Sequence, residues 1–131
     1  MPQGPPFTGH LRTYRTQSHT VLEFHGEIDI ASAIEITPRL DEATGPPECL
    51  VVIDLSHITF LDCSGLRLLC RAQVRITVGN GELHLVCPHR PTLRLLRMAR
   101  LTDTFHPVPT LAEALALHLH QSPEDPAPAR G

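Results

Sequence analysis

Residues 50–70 read LVVIDLSHITFLDCSGLRLLC, and the fold turns on them. Cys49–Leu55 is an apolar run of strand length, the pattern of a central strand buried on both faces. A short link follows, and Gly65–Val78 has helical spacing. Leu66, Leu69, Cys70 and Val74 mark the expected buried face of that helix, and Arg67, Arg71 and Arg75 form a stripe on another. The helix opens on Asp62-Cys63-Ser64-Gly65. A hydroxyl at a helix start sits among backbone N–H groups that have no partner inside the helix. Those groups and the helix dipole favour an added anion. Ser64 is therefore either an ordinary cap or a phosphorylation site.

Outward from this core the chain alternates between strand and helix patterns. Leu11–Thr16 reads as a weak, polar strand at an edge. Thr20–His25 alternates better, and Gly26 is expected to end it. Ile30–Ala43 has helical spacing, with Ile30, Ala33, Ile34 and Leu40 along one face and Pro38 as an interruption. Thr44-Gly45-Pro46-Pro47 and Gly79-Asn80-Gly81 are breaks. Glu82–Cys87 reads as a strand and Thr92–Arg100 as a helix begun by Pro91. Phe105–Val108 reads as a short strand, and Thr110 to Glu113 has the spacing of a capping box opening a last helix to about His120. Strands alternating with helices favour a mixed α/β sheet. Residues 1–9, with three prolines and two glycines, read as a loose arm, and 122–131, with three prolines, as a disordered tail.

Composition narrows the function. The 131 residues suit one domain. A net charge of -3 supplies no global basic field for nucleic acid. All 11 basic side chains are Arg, which removes a Schiff-base or phosphate-loop lysine. The N-terminus shows no secretory pattern and no apolar run has the length of a membrane span. The four cysteines form no C-x-x-C pair and read as reduced, mostly buried thiols of a cytoplasmic protein.

With this order of elements the chain resembles the STAS domain, the fold of bacterial anti-sigma factor antagonists. Three segments carry the likeness: Gly26-Glu27-Ile28-Asp29; Val51–Ser56 running to Phe60–Leu66; and Leu83–Pro88, a helix, then Leu101-Thr102-Asp103-Thr104-Phe105. The resemblance implies a single-domain α/β STAS-like fold over residues 10–121, with a mixed four- to five-stranded sheet and about four helices packed on it.

It also implies a switch. In this family the serine before the motif's glycine is phosphorylated by a partner that is both anti-sigma factor and serine kinase, with ATP bound by that partner. The unphosphorylated protein binds the partner and frees a sigma factor; the phosphorylated form lets go, and a serine phosphatase resets it. Ser64 matches that serine, and Asp29 and Asp62 match acidic positions lining the same surface. The expected partner-binding set is Asp29, Asp62, Cys63, Ser64, Gly65, Arg67 and Arg71. No catalytic residue, cofactor, metal, nucleic acid or membrane contact is expected, and the protein is expected to be a monomer or weak dimer. A phosphate adds about -1.5 to -2 charges. At Ser64 it would meet Asp62 and Asp29, so a complementary partner surface would face repulsion while the fold survives.

Two positions depart from the family pattern. Cys63 stands where a second Ser or Thr is common, which leaves Ser64 the only hydroxyl of the motif. Arg100 stands where a glycine is common, so the helix exit there lacks its usual left-handed residue. Other chemistry remains open. Cys63 or Asp62 could be the nucleophile of a small hydrolase or phosphotransferase, if a base stands beside it. A STAS-like scaffold could instead sense a ligand without being phosphorylated. His84, Cys87 and His89 invite a metal, but strand alternation aims His84 and Cys87 to opposite faces.

Overall fold

A computed structural model describes the backbone of residues 7–120. The expected tail lies outside the described residues, as does all but the end of the expected arm. Among the described residues there are five strands: β1 (Phe7–Thr8), β2 (Leu11–Arg15), β3 (Thr20–Ile28), β4 (Leu50–Leu61) and β5 (Glu82–Val86). Five helices accompany them: α1 (Ile30–Thr44), α2 (Cys63–Val78), α3 (Arg90–Met98), α4 (Thr102–Phe105) and α5 (Leu111–His120). The sheet order follows the chain, β1-β2-β3-β4-β5. The β1–β2 and β2–β3 pairs are antiparallel, and β3–β4 and β4–β5 are parallel. The expected mixed α/β sheet is therefore present.

Alternation along β4 explains its central place. Val51, Ile53 and Leu55 enter a main core with Leu22 and Phe24 of β3. Ile36 and Leu40 of α1, Leu68, Leu69 and Ala72 of α2, Leu96 and Phe105 close over them. Val52 points the other way and meets Val21, Val86 and Ala114 of α5. Each fully buried Val, Leu, Ile or Phe side chain among these contributes roughly 1.5–3 kcal/mol.

Several sequence expectations are corrected. Leu11–Arg15 is not at the edge, because Phe7–Thr8 pairs outside it. Gly26 does not end β3. It sits within the strand at φ 74, between two register shifts against β4, a conformation glycine adopts without steric cost. β4 does not stop at Leu55 but runs to Leu61, and Asp54 lies inside it. Phe105–Val108 is not a strand: Phe105 ends α4, and Val108 alone bridges Val86.

The inward faces of two helices also differ. Ser32, Ile36, Leu40 and Thr44 are the buried positions of α1, while Ile30 and Ile34 are 68% and 70% exposed. Ser32 and Thr44 can be buried because their hydroxyls donate to Glu27 O (3.0 Å) and Leu40 O (2.8 Å). Pro38 does not interrupt α1, which runs through it from Ile30 to Thr44; it lies exposed, where water can take the carbonyl it frees. α2 buries Gly65, Leu68, Leu69, Ala72 and Ile76, and Val74 is exposed.

The exit of α3 corrects the expectation drawn from Arg100, because the left-handed turn forms without a glycine. Leu101 N–H donates to Leu96 O (2.8 Å) and Arg100 N–H to Arg97 O (3.0 Å), the paired bonds of a Schellman turn. Arg100 takes the left-handed conformation itself, at φ 62.

Candidate functional site

The parallel pair β3–β4 ends in register, Ile28 opposite Leu61, and the next residue on each strand is an aspartate. Each aspartate caps the helix that follows. Asp29 Oδ1 accepts from Ser32 N–H (3.1 Å), and Asp29 N–H donates back to Ser32 Oγ (2.8 Å), a reciprocal box at the start of α1. These bonds, first from the Ser32 backbone and then from its hydroxyl, hold the Asp29 carboxyl below its ordinary range. Asp62 Oδ1 accepts from Ser64 N–H (2.8 Å) and Gly65 N–H (3.3 Å) at the start of α2. Asp62 N–H in turn donates to Ile28 O (3.2 Å), which ties the two helix entries together at one end of the sheet.

The cap of α2 is therefore Asp62 and not Ser64. Ser64 occupies the second helical position, half-buried. Among the described residues its Oγ makes no hydrogen bond, so the fold does not employ it. Gly65 is buried because α2 starts almost on top of the strand ends. A Cβ there would lie 2.5 Å from Leu61 Cγ and 3.1 Å from Ile28 Cγ2. Cys63 is exposed. Among the described residues no hydrogen bond links Cys63 to a base. The other thiols are raised by burial: Cys87 is buried, and Cys49 and Cys70 are half-buried.

The arginine stripe divides. Arg71 makes a two-pronged pair with Asp41 of α1, Nε to Oδ1 at 2.6 Å and Nη2 to Oδ2 at 2.7 Å. Arg75 donates to Thr44 Oγ1 and to Asp41 O, both at 2.8 Å. Both thus fasten α2 to α1. Arg67 is exposed and has no ion pair among the described residues. Between the helices lies a shallow groove of about 230 Å³, walled by Ile30, Ala33 and Ile34 on one side and by Ser64, Arg67 and Leu68 on the other. Of the residues expected from sequence, Asp29, Asp62, Cys63, Ser64 and Gly65 lie at the two helix entries, Arg71 stands further along α2 against Asp41, and Arg67 lines the groove beside Ser64. Ile30 and Ile34 were missed there, because apolar spacing assigned them to the core.

His84 and Cys87 lie on opposite faces: Cys87 joins the main core, and His84 Nε2 lies 3.3 Å from Glu82 Oε1. His89 Nδ1 pairs instead with Thr92 Oγ1 at 2.8 Å.

The family model of the STAS domain matches residues 10–114. The chain is a STAS domain protein. Over 95 residues it is 30% identical to the anti-sigma-F factor antagonist RsfB of Mycobacterium tuberculosis, covering 72% of this chain and 77% of that protein. Among solved structures it is similar to an anti-sigma factor antagonist from Mycobacterium paratuberculosis, with 28% identity and a TM-score of 0.73 over 82% of this chain and 91% of that one. The Bacillus cell fate determinant SpoIIAA in its phosphorylated form shares the fold, with 18% identity and a TM-score of 0.65 over 82% and 97% of the two chains. Among the described residues of this STAS domain, no helix is long and apolar enough to cross a membrane.

Proposed function

We propose that this STAS domain is a cytoplasmic anti-sigma factor antagonist switched by phosphorylation at Ser64. Unphosphorylated, it binds an anti-sigma factor that is also a serine kinase and so releases a sigma factor. Phosphorylation ends the binding, and a serine phosphatase restores it. The chain acts as a binding module and leaves the chemistry to its partners.

The observation that carries this reading is the division of labour at the start of α2. Asp62 holds the cap, so the Ser64 hydroxyl is spare, and it lies on the rim of an exposed apolar groove. Ile30 and Ile34 supply apolar surface for a partner, Asp29 and Asp62 carboxylates at the two adjoining helix entries, and Arg67 a cation with no ion pair among the described residues. Gly65 lets the helix end approach the sheet, Cys63 lies exposed beside Ser64, and Arg71 keeps α1 and α2 in place through Asp41. A phosphate on Ser64 would find two of the first-turn N–H groups already taken by Asp62. It would therefore add to the Asp62 charge rather than be neutralised, which disfavours the partner without unfolding the helix.

The test is incubation with the cognate anti-sigma kinase and ATP, followed by mass spectrometry and a binding assay. Phosphate on Ser64 and lost binding by Ser64→Asp, with Ser64→Ala still bound, is the expected outcome. Absence of phosphate at Ser64, or a Ser64→Asp variant that binds normally, refutes it.

A further inference from the structure

The sheet face opposite α1 and α2 carries a polar cluster that the proposed switch does not use. Glu23 and His25 are alternate residues of β3 and share the face on which α5 meets Val21. His57 reaches that face only because β4 is irregular. Glu23 pairs with Asp54 and His25 with His57, so β4 takes three steps where β3 takes two. The extra residue reverses the alternation: Leu55 and Ile58 both enter the main core, and His57 is turned the other way. Asp54 secures the bulge, its Oδ1 accepting from Ser56 N–H (2.9 Å) and Ser56 Oγ (2.6 Å).

The result is a convergent donor set. The His25 and His57 rings stack with centroids 4.8 Å apart. His25 Nε2 lies 2.7 Å from Glu23 Oε1, and His57 Nδ1 3.9 Å from Glu23 Oε2. The Glu23 side chain is only 8% exposed and that of His57 is 50% exposed, so a buried carboxylate sits below an open imidazole. Burial, then the charges of Glu23 and Asp54, raises the Tyr14 hydroxyl above its ordinary value, with Arg12 acting in the opposite sense.

We propose that Glu23, His25 and His57 form a binding site for a divalent transition metal, with zinc as the fitting probe. Two imidazoles and a carboxylate are a three-ligand zinc set that leaves the fourth position to water or a further ligand. Ligands at about 2.0–2.1 Å from one ion stand about 3.3 Å apart. Each ring faces a different oxygen of Glu23, at 2.7 and 3.9 Å, and the three donor atoms lie within 4.8 Å of one another, so an ion is reached by rotating the side chains and turning the two stacked rings out of parallel. Arg12 is the resident competitor, with Nη1 at 3.3 and 3.5 Å from the two Glu23 oxygens. Those contacts are long, and the guanidinium already lies 4.5 Å from the centre of the Tyr14 ring, a second seat for it when Glu23 turns to an ion.

The full chain is titrated with Zn²⁺ against a chromophoric chelator, and its melting temperature is followed with and without the ion. One equivalent is expected to bind and to raise the melting temperature. His57→Ala, at a half-exposed position that should leave the fold intact, and His25→Ala should each weaken affinity by at least about tenfold. Arg12→Ala should strengthen it. Absence of saturable binding, binding that His57→Ala leaves unchanged, or weaker binding in Arg12→Ala overturns the proposal. None of these outcomes bears on Ser64, so the two proposals stand or fall separately.

Discussion

Replacing Gly65 with alanine tests how closely α2 approaches the sheet. In an open helix the change would stabilise by about 1 kcal/mol through helix propensity. Here the new Cβ would lie 2.5 Å from Leu61 Cγ, 3.0 Å from Leu61 Cδ1 and 3.1 Å from Ile28 Cγ2. Ordinary carbon contacts fall at about 3.5–4.0 Å. Leu61 and Ile28 are 6% and 0% exposed, so neither can swing into solvent. Overpacking of this kind costs about 1–3 kcal/mol and here outweighs the propensity gain. The expected net effect is a loss of up to about 2 kcal/mol, centred on about 1 kcal/mol or about 4 °C in melting temperature. Urea unfolding of wild type and Gly65→Ala measures it. Leu61→Ala supplies the cycle: it destabilises alone by about 2–5 kcal/mol but leaves room for the new methyl, so the double variant should lose less than the sum. A Gly65→Ala protein more stable than wild type, or strict additivity with Leu61→Ala, would refute the close approach.

Three further outcomes are expected. Asp62→Ala should cost about 1 kcal/mol by urea unfolding, while Asp62→Asn and Ser64→Ala stay within a few tenths of wild type; the reverse ranking would make Ser64 the cap. Arg100→Gly should raise stability by about 0.5–1 kcal/mol, since a non-glycine residue held at φ 62 costs about 1–2 kcal/mol and the glycine's extra unfolded-state freedom returns part of that; an unchanged or lower melting temperature would count against it. The carboxyls of Asp29, Asp41 and Glu23 are all held below their ordinary values. Ser32 does so at Asp29 and chiefly Arg71 at Asp41; at Glu23 burial pushes upward but is outweighed by His25, Arg12 and His57. The unfolded chain then takes up protons first as pH falls, so this stabilisation is complete above the usual carboxylate pKa of about 4 and is lost below it. Unfolding midpoints at neutral and strongly acidic pH should show that loss, and equal midpoints would exclude it.

Large apolar residues were legible wherever they alone mark a buried face. Val51, Val52, Ile53 and Leu55 read at once as a central strand, and β4 is one. The same logic failed for α1, where the inward stripe includes Ser32 and Thr44. Those hydroxyls are satisfied by backbone carbonyls that no periodicity reveals, so Ile30 and Ile34 drew the face toward themselves. In α2 the small residues Gly65 and Ala72 lie inward and exposed Val74 misled for the same reason. Position 62 against 64 as the cap could not be separated by residue type, because both side chains are favoured caps; the bonds from Ser64 N–H and Gly65 N–H decide it. The bulge in β4 left no signal, and with it the meeting of His25 and His57 was invisible.

The bond from Asp62 N–H to Ile28 O makes Ser64 part of a folded corner rather than of an extended segment. On the proposed reading, a kinase acting on Ser64 would meet two helix entries together. Sequence preference measured on short peptides would say little about such a substrate. A peptide spanning residues 58–70 contains the serine and its neighbours but neither Asp29 nor the groove walls Ile30 and Ile34. It should be phosphorylated far more slowly than the intact domain by the same kinase, and equal rates would show that the corner is not what is read. Selectivity among related regulators in one cell would then reside in tertiary shape, and paralogues with identical motifs could still be kept apart.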